Sequence, residues 1–253
     1  MGLLPARVAL VTGAASGIGR ATAVHMAEEG ASGVVLVDID GAALAATGNL
    51  VAEHGAEPVQ VVADVTDDGE VAAAVASAVD RFGRLDCAFN NAGTSGTLAP
   101  IAEYPLDDWH RVMALNLTSV FLCLRHEIPA MIASGGGAIV NTSSGAGVVG
   151  NAGQAAYVAS KHGVLGLTRT AAREVASAGI RVNAVCPGTT RTPMLEAFMG
   201  GDPAIEEKMA RVSPLKRLAG PEEIARAVVW LCSDAASYVV GHSLIVDGGA
   251  IGQ

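Results

Sequence analysis

Seven short, nearly unbroken runs of Val, Ile, Leu and Ala recur along the 253-residue chain: RVALVT (7–12), GVVLVD (33–38), PVQVVAD (58–64), LDCAFN (85–90), GAIVNTS (137–143), IRVNAVCPG (180–188) and HSLIVDGG (242–249). A strand with apolar residues on both faces must be covered on both faces, which is the situation of a parallel sheet. Longer amphipathic segments separate the runs, and parallel strands need such helical crossovers, which are right-handed. The pattern therefore predicts an α/β chain with a doubly wound, seven-stranded parallel sheet flanked by helices on both faces. At this length a single domain over 1–253 suffices. Hydrophobic residues make up 51% of the chain but aromatic ones only 4%, so small aliphatic side chains must fill the core.

A formal net charge of −9 argues against nucleic acid or an anionic membrane as the main partner. Cys87, Cys123, Cys186 and Cys232 lie far apart in apolar stretches and show no metal-ligand spacing, which reads as reduced core thiols. The six histidines show no ligand spacing either, and no metal is expected. The chain starts without a signal-peptide pattern and has no run long enough to span a bilayer, so a cytoplasmic protein is expected. One stretch breaks the strand–helix rhythm. Residues 189–219 are too long for an ordinary connection and are punctuated by Gly and Pro, which suggests one or two short helices over a ligand crevice. Met194, Leu195, Phe198, Met199 and Met209 would give this lid an adaptable apolar face.

The first run ends in a glycine-rich turn, Thr12-Gly13-Ala14-Ala15-Ser16-Gly17-Ile18-Gly19, and a helical pattern follows. Gly13 allows the tight turn, Gly17 and Gly19 allow close backbone approach, and the helix N-terminus offers amide donors to a pyrophosphate. The second run ends at Asp38, where a carboxylate can accept both hydroxyls of an adenosine ribose and would repel a 2′-phosphate. No Lys or Arg occupies positions 14–16 or follows Asp38 directly, which favours NAD over NADP. The alternative role for Asp38 is to cap the next helix, which Asp40 could do instead.

Tyr157 and Lys161 are four residues apart and would share one face of a helix. A free tyrosine has a pKa of roughly 10, and lowering it to about 7 takes about 4 kcal/mol. A unit charge at about 4 Å and an effective dielectric of about 20 supplies roughly that, so one lysine is expected to suffice. Ser144 lies thirteen residues upstream of Tyr157, beside Ser143. His162 points to another helix face and reads as structural or solvent-facing.

With TGAASGIG, Asp38, Asp64-Val65, Asn90-Asn91-Ala92-Gly93, Asn116, Ser144, Tyr157 with Lys161, and Pro187-Gly188 in order, the chain resembles the short-chain dehydrogenase/reductase family over essentially its whole length. The resemblance implies a Rossmann-like fold with a Ser144, Tyr157, Lys161 and Asn116 catalytic set. Tyr157 would be the acid–base, Ser144 the donor to the substrate oxygen and Asn116 the holder of a relay water. It further implies that Gly13, Ala15, Ser16, Gly17, Ile18 and Gly19 hold the cofactor phosphates. Asp38 and Ile39 would meet the adenosine ribose, Asp64 and Val65 the adenine, and Asn91, Ala92 and Gly93 the ribose at the fourth strand. Lys161 would bind the nicotinamide ribose, and Pro187, Gly188, Thr190 and Thr192 would clamp the carboxamide. Asn90 has a structural alternative, which is to tie neighbouring strands together.

The expected substrate pocket includes Ser95, Ser144, Gln154, Tyr157 and Thr189 and is mostly small and apolar, which suits an uncharged secondary alcohol or ketone, a cyclic one included. The runner-up is a 3-oxoacyl-thioester reductase, which GNAGQAAYVASK resembles, although Asp38 speaks against its usual NADPH. A third reading is a non-catalytic NAD-sensing regulator. The helical stretches 110–133 and 154–178 and the terminal VDGG resemble surfaces by which this family forms homotetramers.

Overall fold

The computed structural model describes residues 2–251. Its seven strands are β1 (Val8–Thr12), β2 (Gly33–Asp38), β3 (Glu57–Val62), β4 (Cys87–Asn90), β5 (Gly137–Thr142), β6 (Ile180–Pro187) and β7 (Ser243–Val246). They form one sheet in the order β3-β2-β1-β4-β5-β6-β7, with every pairing parallel. The winding reverses between β1 and β4. At such a point the two loops leaving the strand C-termini diverge and open a crevice.

Alternate residues of each strand feed two apolar layers. Ala9 and Val11 of β1 pack with Met26, Leu36, Phe89 and Ile224 on one face. Val8 and Leu10 pack with Val75, Met131, Ile139 and Val164 on the other. The first layer is covered by α1 (Gly17–Glu28), α2 (Gly41–Glu53) and α9 (Pro221–Cys232), and the second by α3 (Asp68–Phe82), α5 (Ser119–Ala133) and α6 (Ala155–Val175). The edge strand β3 mixes half-buried and exposed residues instead of being buried throughout, because only one neighbouring strand covers it. All four cysteines are buried free thiols.

Local chemistry fixes the helix starts. Asp40 accepts the Ala43 N–H at 3.0 Å to cap α2, and Asp67 accepts that of Glu70 at 2.9 Å to cap α3. Capping of α2 thus falls to Asp40 and leaves Asp38 at the crevice. Between β6 and α9 the expected insertion forms two short helices, α7 (Pro193–Met199) and α8 (Pro203–Ala210), each starting on a proline. Its ends are joined to each other, since Arg191 N donates to Ala219 O at 2.9 Å and Ala219 N to Thr189 O at 3.0 Å. Met199 is buried while Met194 and Phe198 are exposed, so one apolar anchor holds α7.

Candidate active site

The glycine turn after β1 exists because of close backbone approach. A Cβ on Gly19 would lie 2.0 Å from the Gly13 carbonyl oxygen, and one on Gly13, at φ +65°, would meet Asn91 Nδ2 at 2.8 Å. Asn91 belongs to the loop after β4 and ties the two turns together. Its backbone N–H and that of Ala92 donate to Thr12 Oγ1 at 2.9 and 3.2 Å, and its side-chain amide donates to the Thr12 carbonyl at 3.2 Å.

At the end of β2, Asp38 Oδ2 accepts the Ala15 N–H at 3.0 Å and Oδ1 that of Asp40 at 3.2 Å, so the carboxylate is oriented before any ligand arrives. Ile39 beside it is 74% exposed, an apolar surface at the crevice mouth. Asp64 is exposed and accepts from the backbone N–H and hydroxyl of Thr66, whereas the Val65 side chain is buried in the core. At this position Val65 has only its main chain to offer a ligand.

The chemistry-bearing side chains meet beyond β5. The two adjacent serines separate by direction: Ser143 is buried and its hydroxyl donates to the Lys161 carbonyl at 2.8 Å, while Ser144 faces the Tyr157 phenol. Ser144 Oγ also accepts the Ala146 N–H at 3.1 Å, which fixes its rotamer. Both Tyr157 and Lys161 lie in the first two turns of α6, where the four-residue spacing puts them on one face. His162 is exposed and bonds back to the Val158 carbonyl, off this face.

The electrostatics differ from the sequence expectation. Burial pushes the Tyr157 phenol above its ordinary pKa, and the Ser144 hydroxyl offsets only part of that. Lys161 is itself depressed to about 8 by desolvation. Its ammonium donates to the Thr142 carbonyl at 2.9 Å and stands 5.7 Å from the Tyr157 ring centre. Burial opposes both charged forms and at the phenol outweighs the nearby lysine.

Asn116 sits in a short π turn, Ala114–Thr118, between α4 (Leu106–Met113) and α5. Its side chain is fully buried and donates to Ser160 Oγ at 3.2 Å as well as bonding Thr94. Gly93 is the gap between the groups. A Cβ there would lie 3.0 Å from Asn116 Oδ1 and 3.6 Å from Lys161 Nζ.

On the far wall, Pro187 is buried at the end of β6, and Gly188 packs so closely on Asp247 that a Cβ would lie 2.7 Å from its Cα. Thr190 is buried and donates its hydroxyl to the Gly188 carbonyl at 3.0 Å, and Thr192 caps α7 by accepting the Leu195 N–H at 3.3 Å. The Thr192 methyl lies 3.2 Å from where a Gly17 Cβ would be, so the lid base rests on the glycine turn. Ser95, Gln154 and Thr189 are half-buried, and Gln154 is bridged to Ala99 and accepts from Asn151 at 3.1 Å.

The glycine turn after β1, held by close backbone approach, and the pre-oriented carboxylate of Asp38 fit a dinucleotide laid across the switch point. Among the described residues no cluster of His, Cys, Asp and Glu could hold a metal.

A family model for short-chain alcohol dehydrogenases, described as enoyl-(acyl carrier protein) reductase, matches residues 13–250. The chain belongs to the short-chain dehydrogenase/reductase family. Among members of this family it is 49% identical to cis-4-hydroxycyclohexanecarboxylate dehydrogenase of Sinomonas cyclohexanicum, covering 96% of each chain. It is 48% identical to an A-factor type gamma-butyrolactone 1'-reductase of Streptomyces virginiae, covering 98% of this chain and 96% of that one. The crystal structure of levodione reductase superposes with a TM-score of 0.94 at 41% identity, over 99% of this chain and 100% of the other.

Two residues of this short-chain dehydrogenase/reductase escaped the sequence reading. Arg20 donates to the Ala15 carbonyl and to Thr47 Oγ1, gripping the glycine turn from below. Only its place directly after GIG hinted at this. Glu127 is an acid buried without a countercharge, and its signal was a lone carboxylate in the apolar run FLCLRHEIPAM.

Proposed function

We propose that this chain interconverts an uncharged, cyclic secondary alcohol and its ketone with NAD(H), through Ser144, Tyr157, Lys161 and Asn116. The observation that carries the reading is the meeting of Ser144 and Tyr157, with Lys161 behind them, at the C-terminal end of the sheet that also carries Asp38, at the end of β2. When bound, the nicotinamide supplies the hydride acceptor or donor and, in its oxidised form, a positive charge that helps to ionise the phenol.

In oxidation, ionised Tyr157 takes the hydroxyl proton as hydride leaves the same carbon, and in reduction the phenol returns that proton. Ser144 donates to the substrate oxygen, where negative charge develops in either direction. Lys161 binds the nicotinamide ribose and favours the phenolate, and Asn116 holds the water through which the proton reaches solvent. Asp38 and Ile39 receive the adenosine ribose, and Asp64 with the Val65 main chain receives the adenine. The turn Gly13 to Gly19, including Ala15, Ser16 and Ile18, holds the pyrophosphate, and Asn91 to Gly93 line the ribose. Pro187 and Gly188 clamp the carboxamide, with Thr192 beside them and Thr190 holding the turn through Gly188. Asp38 also favours NAD over NADP, and Arg20, turned to Ala15 and Thr47, is not directed at a 2′-phosphate.

Support for a ring-shaped substrate comes from the uncharged side chains of Ser95, Gln154 and Thr189, expected to line the pocket, and from two relatives whose names specify a cyclohexane and a butyrolactone. The acyl-carrier-protein description of the family model favours a second reading, a 3-oxoacyl-thioester reductase. A homotetramer in the cytoplasm belongs to the same proposal. A groove of about 370 Å³ between α5 and α6, edged by Phe121, Leu117 and Gly166, suits a second copy, and no described helix is long and apolar enough to cross a membrane.

A panel of cyclic and open-chain alcohols, ketones and 3-oxoacyl thioesters, assayed by NADH and NADPH absorbance, tests the proposal. Turnover of cyclic substrates with NAD(H) is expected. Tight NADH binding with no turnover would instead mark a non-catalytic regulator.

A further inference from the structure

Glu127 is fully buried in α5, and its carboxyl has one protein donor, Asn90 Nδ2 at 3.0 Å to Oε2. Its other oxygen, Oε1, and the Asn90 carbonyl oxygen Oδ1 find no donor among the described residues. Asn90 Nδ2 also bonds Asn141 Oδ1, and Asn141 Nδ2 bonds Thr168 Oγ1, each at 3.0 Å, so a polar chain runs from α5 through β4 and β5 to α6. Beside Glu127 lies a cavity of about 10 Å³, which it lines together with Thr12 and Cys123 and whose surface is apolar, so it offers a water no polar partner and Oε1 stays bare.

A carboxylate with one bare oxygen in this setting would be an uncompensated buried charge, which is costly. A neutral carboxylic acid carries no such charge and so avoids most of that cost. We propose that Glu127 is carried as a neutral acid and is a positioning residue for the Asn90–Gly93 turn that receives the cofactor. It acts through the Asn90 side-chain amide, which its Oε2 holds at 3.0 Å. The inference rests on the NAD(H) reading for its cofactor half only.

The surroundings keep the acid neutral. The cavity-lining residues of α3, β1 and β2 are apolar apart from Thr12, and the polar partners from β4, β5 and α6 are Asn90, Asn141 and Thr168, all uncharged. Within the cavity lining, the one titratable neighbour is Cys123 on the same helix, whose thiol burial holds well above its ordinary value. Desolvation lifts Glu127 itself to about 7.

The test compares the full-length wild type with E127Q and E127L. Infrared spectra of wild type at about pH 6 should show a protonated carboxylic acid carbonyl band that E127Q lacks, and raising the pH to about 8.5 should remove it. Over the same range wild-type NADH affinity should fall severalfold, because ionised Glu127 draws the Asn90 amide toward its uncompensated charge. NADH affinity should fall less over this range in E127Q than in wild type, the remaining fall belonging to Lys161, and E127L should bind NADH more weakly at every pH. Absence of the acid band, or an affinity profile in E127Q that parallels wild type, overturns the proposal. Wild-type protein that binds no NADH at any pH overturns the positioning role together with the dehydrogenase reading, while the acid band stands or falls independently.

Discussion

Asn116 embraces the Thr94 peptide: its Oδ1 accepts the Thr94 N–H at 2.8 Å and its Nδ2 donates to the Thr94 carbonyl at 2.8 Å. The residue thereby locks the loop after β4 to the π turn, where Ser119 N reaches five residues back to Ala114 O and the Ser119 hydroxyl takes up the Leu115 carbonyl. An asparagine can do this because it carries donor and acceptor on one planar group. Asn116→Leu should therefore lower kcat by about a hundredfold, the usual scale for losing a proton-transfer element. Asn116→Asp keeps the acceptor but loses the donor, and should fall between the two. Steady-state kinetics on the purified variants, with circular dichroism to confirm folding, reads this directly.

The raised phenol of Tyr157 sets the direction of the pH profile. Oxidation needs the ionised form and reduction the neutral one, so kcat/KM for alcohol oxidation should climb as pH rises and that for ketone reduction should fall. Tyr157→Phe should flatten both at background level and leave NADH binding within about twofold, since the buried ring is kept and only the hydroxyl is lost. A Phe variant with lost NADH binding but surviving turnover would reassign the base.

Asp38 is held by two backbone amides, so its removal should change selectivity more than fold. Asp38→Ser is expected to raise KM for NAD by about tenfold, near the 1.4 kcal/mol of one charge-assisted bond. NADP should become a usable substrate in the same variant. An unaltered NAD/NADP ratio of kcat/KM would place the discrimination elsewhere.

Lys161 costs the fold something. A lysine whose native pKa is lowered to about 8 from 10.5 binds fewer protons folded than unfolded between those values. Stability from this group therefore rises with pH through that window, and the cost is present in full below it, at most about 3 kcal/mol. Lys161→Met should show a melting temperature at pH 7 no lower than wild type, with turnover reduced by at least about a hundredfold. A clear drop in melting temperature would mean that the bond to the Thr142 carbonyl outweighs the desolvation.

The sheet was legible because strands buried on both faces leave an unbroken apolar signature, whereas β3 at the edge carries a weaker one. The spacing of Tyr157 and Lys161 was legible because helix geometry is local. The phenol's pKa was not, since desolvation depends on everything packed around α6 and no four-residue spacing contains it. Arg20 and Glu127 went unread for a related reason. Their partners Thr47 and Asn90 lie 27 and 37 residues away in the chain, and only the tertiary fold makes them neighbours.

The bridge between Thr190 and Ala219 closes the lid segment at its root. A loop tied at its base can be lengthened, shortened or exchanged at little entropic cost, because the closure is already made. On the proposed function, the sheet and the proton-handling groups would then stand apart from the part that meets the variable end of the substrate. Transplanting residues 191–218 from a relative should carry that relative's preference for ring size across, a modular route by which one scaffold can acquire new substrates without relearning how to fold.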